Sequence, residues 1–166
     1  MLTKNFSNII VAASQSVSTH PNFTNREGVA SSDMDAYQYF GNSKCIGVLQ
    51  NKTLSQLEAS TSPGHSVFGF GSGNTEVSPT DITITFIDDS DIVINSVSQS
   101  TANNRILLTA DYSYNGSGAI TISEIGYFMK ISTVANSKAA LIAREVLNTP
   151  MTINSGDTFQ VSMIIG

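Results

Sequence analysis

The sequence predicts an all-β fold, an antiparallel β-sandwich that carries a short N-terminal helix and a long loop excursion. Three observations lead there. Residues 105–165 break into short apolar alternations separated by Gly, Asn and Pro signals, the pattern of strands joined by tight turns. Charged residues make up only 13% of the 166, against roughly 25% in ordinary soluble domains, so the polar surface must come from other side chains. Ser, Thr and Asn supply it with 24, 16 and 14 copies, and hydroxyl-rich, β-branched faces suit sheets better than helices.

In chain order, Leu2, Phe6, Ile9, Ile10 and Ala13 recur at helical spacing with Thr3 as cap, so residues 1–13 read as a helical arm. Such a helix is marginal alone and needs a surface, either its own domain or a neighbouring subunit. Residues 14–62 have weak periodicity and dense Ser, Thr, Asn and Asp, and read as one long loop or β-ribbon excursion. Within it Tyr37, Tyr39 and Phe40 form an aromatic cluster suited to a contact surface or to core packing. Together with Leu2, Phe6 and Ile9 they are the candidate partner-contact residues. Residues 52–59 fit one helical turn or two.

The β core is placed at 63–166, one domain with the rest. Ser66–Phe70 is a short apolar strand running into Gly71, Ser72 and Gly73, with Gly69 also read as a turn glycine. Ile82, Ile84 and Phe86 alternate as a strand, and another follows over 92–97. In the next run Ile106, Leu108, Ala110, Tyr112 and Tyr114 share the core face. Asn115-Gly116-Ser117-Gly118 then predicts a hairpin reversal. In the return strand Ile120 and Ile122 share one parity while Ile125, Tyr127, Met129 and Ile131 take the other, which predicts a β-bulge at Ser123–Ile125. Ala139–Leu147 has the composition of a helix or a strand; flanking strands favour a strand, ended by Thr149-Pro150. Gly156 is expected in the left-handed region of the last turn, before the alternation Phe159, Val161, Met163, Ile165.

Chemistry is sparsely signalled. The glycines at 69, 71 and 73 fail the dinucleotide pattern, because its last glycine falls on Asn74 and a strand follows rather than a helix. With two histidines and one cysteine, Cys45, neither a Ser-His centre nor a His/Cys zinc site is expected. Asp88, Asp89 and Asp91 form the one acidic cluster; a solvated turn is expected, with an ion the alternative, and the spacing is not that of an EF-hand. Glu124, at the phase slip, is expected to be a hydrogen-bonded structural acid. Eight Lys and Arg spread singly and a net charge of −5 leave no basic stripe for nucleic acid. The longest apolar run near the start, Ile9–Ala13, is too short for a secretory signal, and no run is long enough to span a membrane. The chain is therefore expected to be made in a cytoplasm and stay there unless a particle carries it.

The opening Met1–Phe6, the block Val67–Thr75 with Pro79-Thr80-Asp81, the block Ile120–Tyr127, and Leu141–Val146 followed by Pro150 and Gly156-Asp157 resemble a group of tailed-bacteriophage virion structural proteins found in gut phages, including crAss-like ones, and in prophages. The resemblance covers chiefly residues 67–165 and the first six. It implies a sandwich of jelly-roll or immunoglobulin-like character, with no active site and no cofactor, used as a capsid auxiliary (decoration) protein, a head fibre or a tail component. The expected partners are the major capsid protein or other virion proteins and further copies of the chain, with neither nucleic acid nor membrane. Deleting residues 1–13 is expected to abolish particle binding and leave the sandwich folded. A host-glycan-binding sandwich is the alternative from another class, weakened by the absence of Trp.

Overall fold

The computed structural model describes residues 1–6, 23–31, 48–102, 105–131 and 135–165. Their strands are β1 (Phe23–Thr24), β2 (Ala30–Ser31), β3 (Val48–Leu49), β4 (His65–Gly71), β5 (Ile92–Ala102), β6 (Arg105–Tyr114), β7 (Ile120–Met129), β8 (Ala140–Ile153) and β9 (Thr158–Ile165), with a short helix α1 (Leu54–Ala59). The fold is mostly β. One sheet has the order β3-β4-β7-β8, antiparallel except for the parallel β3/β4 pair, and the other the order β5-β6-β9, antiparallel throughout. β1 and β2 make a separate small ribbon.

The main apolar core draws on both sheets. Phe68, Phe70, Ile125, Tyr127 and Met129 come from the four-stranded sheet, and Leu108, Ala110, Tyr112 and Val161 from the three-stranded one. The Phe70 ring meets Tyr112 edge-on at 5.0 Å, and Tyr112 stacks on Phe159 at 5.1 Å. In β6 the alternation read from sequence is the alternation observed, with Leu108, Ala110, Tyr112 and Tyr114 buried and their neighbours partly or fully exposed. β7 is buried on eight consecutive positions, Ile122–Met129. It is the sheet with two covered faces that produces such a run: α1 and the segment 72–87 lie over its outer side, where Leu54, Leu57, Val67, Ile84, Phe128 and Leu141 form a second cluster.

The bulge expected in β7 is present, with the register to β8 shifting between Ile122 and Glu124. α1 starts at a capping box, Thr53 accepting from the Gln56 amide and Gln56 from the Thr53 amide, which satisfies two otherwise orphaned donors. Gly156 has φ 85°, as expected for the last turn.

Several expectations are corrected. Residues 115–118 do not join a hairpin: β6 pairs with β5 and β9, β7 pairs with β4 and β8, so the chain crosses there from one sheet to the other. Neither Gly116 nor Gly118 has positive φ; Gly116 is small because a Cβ there would strike the Tyr114 ring. β8 does not stop at Pro150 but runs to Ile153. Four residues, 147–150, lie opposite the single Ser123 in the ladder, so proline's missing donor falls in a bulge where no ladder bond is needed. The run 82–87 forms no strand, only a bridge from Phe86 to Gly71, because its Thr85 amide is taken by the Glu124 carboxylate. β5 is longer than expected, to Ala102. Gly69 and Gly71 lie within β4, not in a turn.

The N-terminal arm also differs. Met1–Thr3 run extended along the outer edge of β8, Leu2 bridging to Ala143, Thr3 N–H donating to Ile142 O at 2.9 Å and Arg144 N–H to Met1 O at 3.0 Å. Helix begins only at Lys4. Thr3 stands just before that helix and its carbonyl accepts the Phe6 amide at 3.1 Å, while its hydroxyl donates to the Leu141 and Ile142 carbonyls. Residues 7–13 of the expected helix lie outside the described residues. In the excursion 14–62 the described pieces belong to the body of the fold, since β3 joins the four-stranded sheet and Leu49 enters the main core.

Candidate functional site

The densest polar chemistry lies on the outer face of the four-stranded sheet, and the sequence builds it in steps. The β7 bulge turns Glu124 to that face. Opposite it in the register is Gly71, then Gly69 opposite Gly126, a strip without side chains. A Cβ on Gly71 would come within 2.6 Å of Glu124 Oε1 and 2.7 Å of Thr85 O, so glycine leaves the room that the carboxylate and the covering segment occupy. Arg144 arrives from β8, opposite Gly126.

Glu124 is 0% exposed. Its Oε1 accepts from the Gly73 amide at 2.9 Å and the Thr85 amide at 2.6 Å; its Oε2 accepts from Arg144 Nε at 2.7 Å and lies 2.7 Å from Nη2. Arg144 also donates from Nη1 to Asp81 Oδ2 at 2.8 Å and from Nη2 to Thr75 Oγ1 at 3.1 Å. Burial works against the Arg144 cation, but Asp81 and Glu124 outweigh it and raise its pKa. Burial likewise pushes the Asp81 carboxyl up, and the Ser78 amide and Arg144 overcome it, leaving the net pKa lowered. With both oxygens engaged and no exposure, Glu124 ties the 73–85 segment to the sheet; it offers no lone pair to solvent.

A second charged knot holds α1. Glu58 accepts from Arg26 Nε at 2.6 Å and Nη2 at 3.0 Å, from the Ala139 amide at 3.1 Å and from Lys138 Nζ at 3.3 Å. Burial raises the Glu58 carboxyl, and these partners, Arg26 foremost, bring it below its ordinary value. Lys130, fully buried, donates to Glu58 O at 2.7 Å and to Ser137 O and Oγ at 2.9 and 2.7 Å. It thus satisfies a carbonyl at the end of α1 that the helix itself leaves open. Burial lowers the pKa of its ammonium, and Glu58 works the other way.

Of the expected contact residues, Leu2 is 37% exposed beside the edge of β8. Phe6 is half-buried against the main core of its own chain. Ile9, Tyr37, Tyr39 and Phe40 lie outside the described residues. The acidic run forms the turn into β5: Asp88 accepts from the Ser90 amide, which lowers its pKa, while burial raises that of Asp89. Among the described residues no group of three metal-ligating side chains converges.

Two further surfaces emerge only when the strands are set side by side. One is the outer face of the three-stranded sheet, where Ser98, Thr109 and Ser162 form one cross-strand row and Ser96, Asp111 and Gln160 the next. Thr109 and Ser162 share a hydrogen bond at 3.2 Å, and Asp111 accepts from Ser96 and Gln160. The signal was available as the polar half of each alternation. The other is a cleft of about 350 Å³ between the Met1–Leu2 edge and β9, lined by Ile125, Leu147, Val161 and Met163 among others. The buried Glu124 had a signal as the one charge in the run 120–129, and Arg144 as half of an Arg-Glu pair inside the apolar run 139–147. Comparison with known proteins adds no relative: no family model matches the chain, and neither the curated proteins nor the solved structures give a significant match.

Proposed function

We propose that this chain is a non-enzymatic structural protein of a tailed-bacteriophage virion, a capsid auxiliary (decoration) protein whose two sheets form a β-sandwich of jelly-roll or immunoglobulin-like kind. The observation that carries the reading is the outer face of the three-stranded sheet. Its one acid in those two rows, Asp111, already holds two donors, and hydroxyls and amides fill the remaining positions. Such a face suits repeated, weakly charged contacts of the kind that symmetric shells use. The resemblance supports it from another side, because the blocks that carry it contain Gly71, Gly73, Thr75, Asp81, Glu124 and Arg144, the residues that lock the covering segment to the sheet.

The major capsid protein is the partner in this reading, with assembly in the bacterial host and residence in the virion. The described part of the arm, residues 1–6, is hydrogen-bonded into the fold, so deleting 1–13 would damage the sheet edge and is not a clean test. A surface change is better. Ser98→Lys with Thr109→Lys should leave the isolated protein folded and abolish its binding to purified shells. Full occupancy by that variant refutes the docking face. Imaging of intact particles gives the copy number: tens to hundreds for a shell protein, and small multiples of three or six for a tail or fibre subunit. Absence from the particle, with binding on a glycan array, would replace the reading with the host-glycan one.

A further inference from the structure

We infer that the open edge of β9 receives a second copy of this chain, the two β9 strands pairing antiparallel across a two-fold axis. The inference deepens the oligomeric side of the proposed function and does not depend on the shell. The two large sheets have four edges. β3 contributes only two residues. β8 is covered at 142–144 by Met1–Thr3. β5 is broken by a register shift between Ile94 and Ser96 and approached by β3, whose Leu49 amide donates to Gln99 Oε1 at 3.4 Å. β9 pairs with β6 in unbroken register from Thr158 to Ile165, and among the described residues no strand pairs with its other side.

Proteins that must not pair through an edge guard it with lysine, proline or a bulge. β9 reads Thr-Phe-Gln-Val-Ser-Met-Ile-Ile, with no charge, no proline and no glycine. The Tyr114 amide donates to Asp157 O; by the alternation of an antiparallel ladder, Thr158, Gln160, Ser162 and Ile164 then direct their amides and carbonyls outward.

The strand's own copy fits this edge best. An uncharged strand offers nothing to a basic or acidic partner segment, whereas a second β9 matches it in length and neutrality. The two-fold also sets the copy's Asp157 at the end of β9 where the neighbouring β6 begins with the exposed Arg105, so the charges at that end of the joined sheet are of opposite sign. Ile164, 61% exposed, and Leu107, 39% exposed, lie side by side at that end and gain cover. The cleft under β9 raises no opposition, since the Glu145 carboxylate on its rim is paired with the Met1 amino group at 3.4 Å.

The test uses the purified full chain, sedimentation across micromolar concentrations and hydrogen exchange. The wild type is expected to be a dimer with slow amides at 160, 162 and 164. Thr158→Lys with Ile164→Lys, both exposed on β9 and outside the two polar rows of the docking face, should weaken the dimer by about a hundredfold or more while leaving the thermal transition in place. Ser98→Lys, on β5, should leave the dimer intact. A wild-type monomer overturns the inference, as does a dimer that survives the β9 lysines or is lost equally with Ser98→Lys. A monomer whose β9 amides are slow also overturns it, since the chain's own residues would then occupy the edge. Shell binding by the monomeric β9 variant separates the two claims: if it persists, docking to the shell stands whatever the fate of the dimer.

Discussion

Replacing Arg144 with methionine tests the buried lock directly. Methionine keeps most of the length and apolar volume but removes the fork that reaches Glu124, Asp81 and Thr75. Glu124, with no exposure, then keeps only the Gly73 and Thr85 amides as donors to a full negative charge. Removing one partner of a buried ion pair costs about 3–5 kcal/mol. For a chain of this size each kcal/mol shifts the melting temperature by about 2–4 °C, so the fall expected is about 6–20 °C. Urea titration should show an earlier midpoint with an unchanged slope, since the same surface is exposed on unfolding. Arg144→Lys should fall between, because an ammonium keeps the charge and loses the planar fork. Hydrogen exchange adds a local readout: the Gly73 and Thr85 amides should speed up before the β6 amides do. A loss below about 1 kcal/mol, the range of a surface pair, would refute the reasoning, because the lock would then be solvated.

Acid should destabilise the protein through Glu58 and Asp81. Both carboxyls are held below their ordinary values of 4.5 and 3.8; the stability they contribute is present above those values and drains as pH falls through the folded-state pKa. Asp89, raised by burial and by Asp88, works in the opposite direction. Urea midpoints measured from pH 7 to pH 3 should fall in the acid range, and Arg26→Met should shrink the Glu58 part of that fall, the Ala139 amide and Lys138 remaining. Gly71→Ala should cost about 1–3 kcal/mol, since the added carbon meets a carboxylate and a backbone carbonyl and forces one to move; a neutral thermal shift would contradict the close approach. Asn5→Ala should cost about 1–3 kcal/mol through the half-buried Thr24 amide and carbonyl it leaves unpaired, the Leu141 carbonyl keeping the Thr3 hydroxyl as donor, with calorimetry as the check.

What the sequence reveals follows the range of the interactions that decide each feature. β6 is legible because one of its faces is wet, so burial imprints an alternation that any reader can count. The β7 bulge is legible for the same reason, as a change of parity between Ile122 and Ile125. The crossing at 115–118 is not: Asn-Gly-Ser-Gly is a strong local hairpin signal, but β4 and β9, distant in sequence, take the partners that a hairpin would have joined. Pro150 misleads in the same way, since whether proline ends a strand depends on whether its position needs a donor, and that is set by Ser123 across the ladder. Glu124 is visible as the one charge of its strand and Arg144 as half of an Arg-Glu pair in an apolar run, yet their meeting with Thr75 and Asp81 depends on how 72–87 crosses the sheet.

The pairing of residues 1–3 with 142–144 also sets an order of events. Those first residues leave the ribosome long before the strand they will cover exists, and folding proceeds largely as the chain emerges. The β5/β6 and β7/β8 pairs join neighbours in sequence and can close early, whereas contacts across most of the chain come at a high entropic cost and close late. Residues 1–3 are therefore a late latch, and until it shuts, the β8 edge is open to whatever strand reaches it first.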